Sequence, residues 1–319
     1  MQDHSIILNR LRKNLKKRKS LIKNSNLNAY RLYEKDIPEY PYIIDIFNQY
    51  AVVYEKGKKF DDDEVEELTQ TRQRHQKHII SALKEACDIP TSHIVFKTRQ
   101  KQKGKDQYQK IMRSEEFFII KELGMKFRVN VHDYLDPGLF LDHRPLRKTI
   151  KETSKNKKIL NLFAYTGSLS VAAALGGGLV TTIDMSKTYL NWAWENFLLN
   201  EIDPEKHEFI QADVINLVTN ELNTKYDIII LDPPSFSNSK RMEDNFDVQR
   251  DHGNLIKPLM KNLTSNGILY FSNNYRKFKL DTEILDNYAV KDITLKSIPA
   301  DFRDLKIHTC FEITNKFTS

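Results

Sequence analysis

Apolar residues recur along this chain with different periods, and each period marks a different kind of element. Near the start, Leu8, Leu11, Leu15 and Ile22 stand at roughly helical spacing among polar residues. That spacing predicts an amphipathic helix with a narrow apolar face. From residue 29 the pattern becomes short runs of β-branched and aromatic residues, AYRLY, YIIDIF and YAVVYE, punctuated by Pro38 and Pro41. A helix follows over about 61–86, with aspartates where its N-cap belongs. Three more short strands come next, HIVFKT, FFIIKE and KFRVNV.

After Tyr134 the rhythm alters. The strand candidates KILNLFA, LVTTIDM, HEFIQA, YDIIILD, GILYFSN, ITLKSI and IHTCFEI alternate with helical stretches. The early ones are apolar throughout, as expected when helices cover both faces of a sheet. The fold class that follows is α/β, a doubly wound, mostly parallel sheet. A basic helix over 1–25 and a small α+β domain over 26–133 precede it, and the sheet domain spans 134–319.

Ligands of such sheets sit beyond the carboxyl ends of the strands, so the residues there carry the candidate chemistry. The first strand runs into NLFAYTGSLSVAAAL, where Gly167 permits close backbone approach before an Ala-rich helix. The next three end in Asp184, Asp213 and Asp232. One such acid is commonly a cap, but three at successive strand ends point to a site. Asp184 stands where an acid grips a ribose diol. The loop lacks the glycine fingerprint that a pyrophosphate requires, which favours a cofactor with an adenosine and no phosphates. S-adenosylmethionine fits that description, and its cationic sulfonium tolerates nearby carboxylates. Asp232 is followed by Pro233, Pro234 and Phe236, a stiff turn and an aromatic suited to holding a base against a methyl donor.

Charge adds a partner. The formal net charge is +7, and residues 1–23 hold eight Lys/Arg against Asp3 alone. A second basic cluster, KTRQKQKGKDQYQKIMR, spans 97–113. The two clusters predict a polyanion, with Arg12, Lys13, Lys16, Lys17, Arg18, Lys97, Arg99, Lys101, Lys103 and Lys105 as its contacts. A solvated lysine-rich surface is the plainer alternative. No apolar run reaches membrane-spanning length. The two distant cysteines, Cys87 and Cys310, suit a reducing, cytoplasmic setting.

The stretches GLFLDHR, NLFAYTGS, TTIDMS, LDPPSFSNSKRMEDNFDVQRDH and FSNNYRKF, with NRLRKNLKK and YRLYEKDIPEY upstream, resemble the ribosomal RNA large-subunit methyltransferases over about residues 8–314. The resemblance implies a Rossmann-like class I methyltransferase sheet whose last strand is antiparallel. It also implies S-adenosyl-L-methionine as donor and guanine N7 of 23S ribosomal RNA as acceptor. By motif, Asp142 and Arg144 fall near the cofactor's methionine end, with Phe140 beside them. Phe163, Tyr165 and Gly167 line its floor, Asp184 takes the ribose hydroxyls and Asp213 the adenine amino group, with Met185 and Val214 as further cofactor contacts. Asp232, Pro233, Pro234, Phe236 and Asn273 face the target base. His143 and His252 lie in no ligand pattern and read as positional or core residues; no metal is expected.

Carbon-5 methylation of cytosine needs a thiolate nucleophile at the site, and neither cysteine stands in these motifs. Guanine N7 carries a lone pair and no proton, so its methylation needs no base; an exocyclic amine is the rival target. A nicotinamide oxidoreductase would share the sheet but leaves DPPSF unexplained. A non-catalytic ribosome-assembly factor would not need all four acids, Asp142, Asp184, Asp213 and Asp232.

Overall fold

The structure is a computed structural model that describes residues 4–56, 65–99, 114–220, 222–237 and 245–316. The chain forms two compact units. One takes Met1–Gly124, Val129–Pro137 and Ala300–Arg303, and the other takes Met125–Arg128, Gly138–Pro299 and Asp304–Ser319.

In the first unit, α1 (Ser5–Asn24) turns Ile7, Leu8 and Leu11 into a core with Leu32, Ile44, Val53, Ile79 and Leu83. Its apolar stripe is therefore a packing face, and the lysines occupy the other side. Strands β1 (Ala29–Glu34), β2 (Tyr42–Phe47) and β3 (Tyr50–Lys56) run antiparallel, and β4 (Ile94–Arg99) joins β3 in parallel. A parallel pair needs a long crossover, here α2 (Val65–Cys87). Strand β5 (Phe118–Glu122) follows, and β6 (Met125–Val129) begins in the residues assigned to the second unit.

Arg31 is one of the buried charges of this unit. Its guanidinium donates to Asp45 at 2.8 Å and to Glu34 at 2.5 Å and lies 4.0 Å above the Phe302 ring. Its backbone N–H donates to Asp301 Oδ2 at 2.8 Å. A buried cation is tolerated only when its partners are this complete.

The second unit holds α3 (Arg144–Thr153), β7 (Lys158–Leu162), α4 (Ser168–Leu175), β8 (Leu179–Asp184), α5 (Lys187–Leu199), β9 (Glu208–Gln211) and α6 (Val214–Asn220). It continues through β10 (Tyr226–Leu231), the two-residue strands β11 (Phe236–Ser237) and β12 (Phe246–Asp247), α7 (Val248–Lys261) and β13 (Leu263–Asn273). It closes with α8 (Thr282–Asn287), β14 (Tyr288–Asp292), α9 (Thr294–Ser297) and β15 (Thr309–Asn315). The seven-stranded sheet has the order β14-β15-β13-β10-β7-β8-β9. The five strands from β13 to β9 are parallel, and β15 runs antiparallel to both its neighbours. The four residues Ile228–Leu231 of the central strand are each 0% exposed, which is why that run is purely apolar.

One predicted strand is corrected. ITLKSI is not extended: Asp292 Oδ1 accepts from Thr294 N–H at 2.8 Å and Ser297 Oγ lies 2.8 Å from Thr294 O, within a helical turn. Such local side-chain bonds compete with a ladder. The strand is the preceding YAVKD, an edge strand too exposed to read as one.

Candidate active site

The strand order reverses between β7 and β10, and the residues that follow β7, β8, β9 and β10 meet at that switch point. The loop after β7 has three left-handed residues, Phe163 (φ 55°), Tyr165 (φ 53°) and Gly167 (φ 71°). For aromatic residues this conformation costs about 1–3 kcal/mol each and persists only where the surroundings impose it. Here Tyr165 N–H donates to Asp184 at 2.8 Å, the Thr166 hydroxyl to Gly138 O at 2.6 Å, and the Asn196 amide to Thr166 O at 2.9 Å. Gly167 is obligatory for a second reason: a Cβ there would lie 2.6 Å from that of Ala193. Beneath the loop, Asn161 and Thr182 both donate to the buried Ser170 hydroxyl at 2.8 and 2.9 Å, tying β7 and β8 to α4.

Asp184 accepts from Tyr165 N–H and Ser186 N–H, each at 2.8 Å. Burial nonetheless outweighs these bonds and pushes its pKa up to about 6. Met185 follows it, its carbonyl accepting from Gln211 at 3.1 Å. Asp213 caps α6 through Oδ1, which accepts from Ile215 N–H at 3.0 Å, while its Oδ2 is buried without a hydrogen-bond partner. An unsatisfied buried acceptor costs about 1–3 kcal/mol, and an adenine amino group is a donor that would satisfy it. Val214 beside it is 1% exposed. The acids after β8 and β9 therefore fit an adenosine, one having a raised pKa and the other an orphaned oxygen.

Leu141–His143 forms a short 3-10 turn, and Arg144, buried, opens α3. Phe140 is partly exposed, its ring 5.1 Å from that of Tyr165. Asp142 Oδ2 lies 2.9 Å from His308 Nδ1 and 3.9 Å from His143 Nε2. The expectation that His143 lies in no ligand pattern is corrected: ligand-capable atoms of Asp142, His143 and His308 lie within 4.8 Å of one another. Sequence reading missed His308, which the fold brings to Asp142 from 166 positions away. His252 is a core residue as expected, Nδ1 on Val248 O at 2.8 Å and Nε2 accepting from Asp281 N–H at 2.9 Å.

On the far side of His143, its Nδ1 is 3.6 Å from Asp232 Oδ2, and Asp232 Oδ1 accepts from the Ser272 hydroxyl at 2.6 Å. Pro233 is buried and Pro234 half-buried. The turn is held by Ser235, whose hydroxyl donates to Asn274 Oδ1 at 2.6 Å. Phe236 is 56% exposed, with the Tyr275 ring edge-on at 5.9 Å, so it is no core residue. Asn273 is corrected. It is 1% exposed, donates to Thr309 at 3.0 Å and accepts from Tyr275 N–H at 3.0 Å, so it caps the strand end.

Two basic residues are likewise corrected. Lys97 is buried, its ammonium on the carbonyls of Tyr134 and Leu135. Arg18 donates to Arg31 O at 2.5 Å and Asp301 O at 2.9 Å. Both serve the first unit's own structure. Lys13, Lys16 and Lys17 are exposed, and the exposed Arg12 pairs with Glu85 at 3.3 Å. The Arg99 side chain and Lys101, Lys103 and Lys105 lie outside the described residues.

The strand order, the adenosine-fitting acids and the rigid acidic turn define an α/β enzyme that uses a nucleoside-bearing cofactor. The chain belongs to the S-adenosylmethionine-dependent methyltransferase family, which it matches over residues 48–293, and S-adenosyl-L-methionine is its cofactor. It is 43% identical to a ribosomal RNA large subunit methyltransferase K of Neisseria meningitidis serogroup B, over 99% of this chain and 89% of that one. It is 44% identical to a ribosomal RNA large subunit methyltransferase K/L of Colwellia psychrerythraea, and spans 44% of that protein's length. A methyltransferase solved with S-adenosylhomocysteine shares the fold, with a TM-score of 0.75 at 22% identity over 98% of this chain and 82% of that chain. No helix among the described residues is long and apolar enough to cross a membrane.

Proposed function

We propose that this protein methylates N7 of a guanine in large-subunit ribosomal RNA. Both relatives above carry that RNA in their names, and an exposed basic helix face suits a polyanion. The observation that carries the reading is the turn after β10: an acid, two prolines and an outward Phe236 that is 56% exposed. Bound S-adenosylmethionine supplies an electrophilic methyl group. The residues do the rest by placement. Asp184 accepts from the ribose diol, and Asp213 Oδ2 from the adenine amino group. Phe236 stacks on the extruded base. Asp232 stabilises the positive charge that passes to the guanine ring on methylation. N7 has no proton to lose, so alignment supplies most of the rate.

Transfer to the exocyclic N2 is the second reading. The contact of His143 Nδ1 with Asp232 Oδ2 at 3.6 Å favours it, because a base at that point has a neighbour to pass a proton to. Nuclease digestion and mass spectrometry of ribosomal RNA treated with the protein separates them: 7-methylguanosine supports the first, N2-methylguanosine the second.

A further inference from the structure

Three side chains, two near the end of the chain and one 166 positions before His308, form one line of hydrogen bonds that ends on Asp142. Ser297, in α9, lies with its Oγ 2.8 Å from His308 Nε2. His308, just before β15, places Nδ1 2.9 Å from Asp142 Oδ2. Ser297 and His308 are 3% and 2% exposed, so water cannot stand in for either.

The protons decide what this line does. A serine hydroxyl carries one proton, and Ser297 Oγ is also 2.8 Å from Thr294 O. If the hydroxyl donates to His308 Nε2, a neutral ring keeps its proton on Nδ1. If it donates to Thr294 O, Nε2 must carry a proton of its own, and an ionised Asp142 then requires a second on Nδ1. In both cases Nδ1–H points at the carboxylate. The order serine, histidine, aspartate matches that of hydrolytic triads, but here the serine is the buried end and Asp142 the partly exposed one. The line thus fixes an acid instead of activating a hydroxyl.

We propose that His308 is a positioning residue for Asp142. It locks one carboxylate oxygen so that the other faces the ammonium end of the cofactor, with Ser297 holding the imidazole in place. The orienting logic is that of a second shell around a ligand-binding acid. The same acid lies 3.9 Å from His143, so an unfixed carboxylate has a competing partner at hand. The inference rests on Asp142 facing the cofactor, and its test separates the two claims.

Affinity for S-adenosylhomocysteine is measured by calorimetry for the intact protein and for Asp142→Asn, His308→Ala, His308→Asn, His308→Gln and the double variant Asp142→Asn/His308→Ala. An asparagine amide reproduces the Nδ1 donor, whereas a glutamine amide falls near Nε2. Expected are a roughly tenfold loss for His308→Ala and His308→Gln, recovery in His308→Asn, and no additional loss in the double variant. The tenfold figure corresponds to about 1.4 kcal/mol, the size of one hydrogen bond to a charged group. Turnover should follow, with KM for S-adenosylmethionine raised and kcat nearly unchanged. If Asp142→Asn binds normally, the placement of Asp142 fails. If Asp142→Asn weakens binding while His308→Ala does not, or if asparagine and glutamine behave alike, the positioning role of His308 is overturned.

Discussion

Cys310 stands directly across the sheet from Ser272, the residue whose hydroxyl donates to Asp232 at 2.6 Å. A thiol thus sits two strands from Asp232, nearer than its place in the sequence suggests. It is 0% exposed, and burial together with the Asp232 charge pushes its pKa far above the usual thiol range. A thiolate nucleophile is thereby disfavoured. Cys310→Ala should methylate RNA at the parent rate, and 5-fluorocytidine RNA should form no adduct that survives denaturation. Such an adduct would restore carbon-5 chemistry.

Asp184 should make cofactor binding pH-dependent. Its pKa is raised to about 6, so in the free protein it is protonated below that value and ionised above it. A carboxylate accepts from both ribose hydroxyls and the neutral acid does so less well. Binding must then expel a proton at low pH. Affinity for S-adenosylhomocysteine should be level above pH 6 and fall by up to tenfold per pH unit below it. Asp184→Asn should bind more weakly and lose that inflection, and an inflection retained in this variant would assign it to another group.

Gly167→Ala should be costly to the fold. The new methyl would meet the Ala193 Cβ at 2.6 Å, and φ is 71°. Together the overlap and the left-handed backbone should cost about 2–4 kcal/mol. Adding Ala193→Gly should recover only the steric part, as read by thermal or denaturant melts.

Phe236→Ala should leave the melting temperature and S-adenosylhomocysteine binding alone, because the ring is largely exposed. RNA affinity should drop by about 1–3 kcal/mol, the worth of one stacked base. Unchanged RNA affinity would remove the ring from the substrate.

The basic residues should split into two groups. Converting Lys13, Lys16 and Lys17 to Gln should lower the slope of log affinity against log salt by about 0.7 for each phosphate that is no longer neutralised. Lys97→Met should leave that slope unchanged and lower stability by about 1–3 kcal/mol, because two carbonyls lose a buried donor.

The second group marks a limit of sequence reading. Lys97 and Arg18 count as charge in any composition, and only the fold reveals that carbonyls consume them. Asn273 sits in a motif, yet its amide is used up by Thr309 and Tyr275. What was legible was periodic or terminal: the parallel strands, the acids at their ends and the proline turn. These depend on local pattern, and the structure has the mostly parallel sheet with its antiparallel β15 that they imply. His308 was not legible, because its partner Asp142 stands 166 positions away in the sequence. The edge strand Tyr288–Asp292 was missed because only Tyr288 and Val290, on one face, pack against the core, too short an alternation to stand out.

The return of Ala300–Arg303 to the first unit has a consequence for synthesis on the ribosome. Arg31 N–H bonds to Asp301 and Glu34 accepts from Arg303 N–H, partners made 270 and 269 residues later. A nascent chain that has emerged only as far as β6 holds the sheet of its first unit but not the segment that completes it. Cotranslational folding normally finishes amino-terminal parts first. Here the unit that emerges first is completed only near the end of synthesis, and until residue 303 is out, Glu34 and the Arg31 backbone lack these later partners.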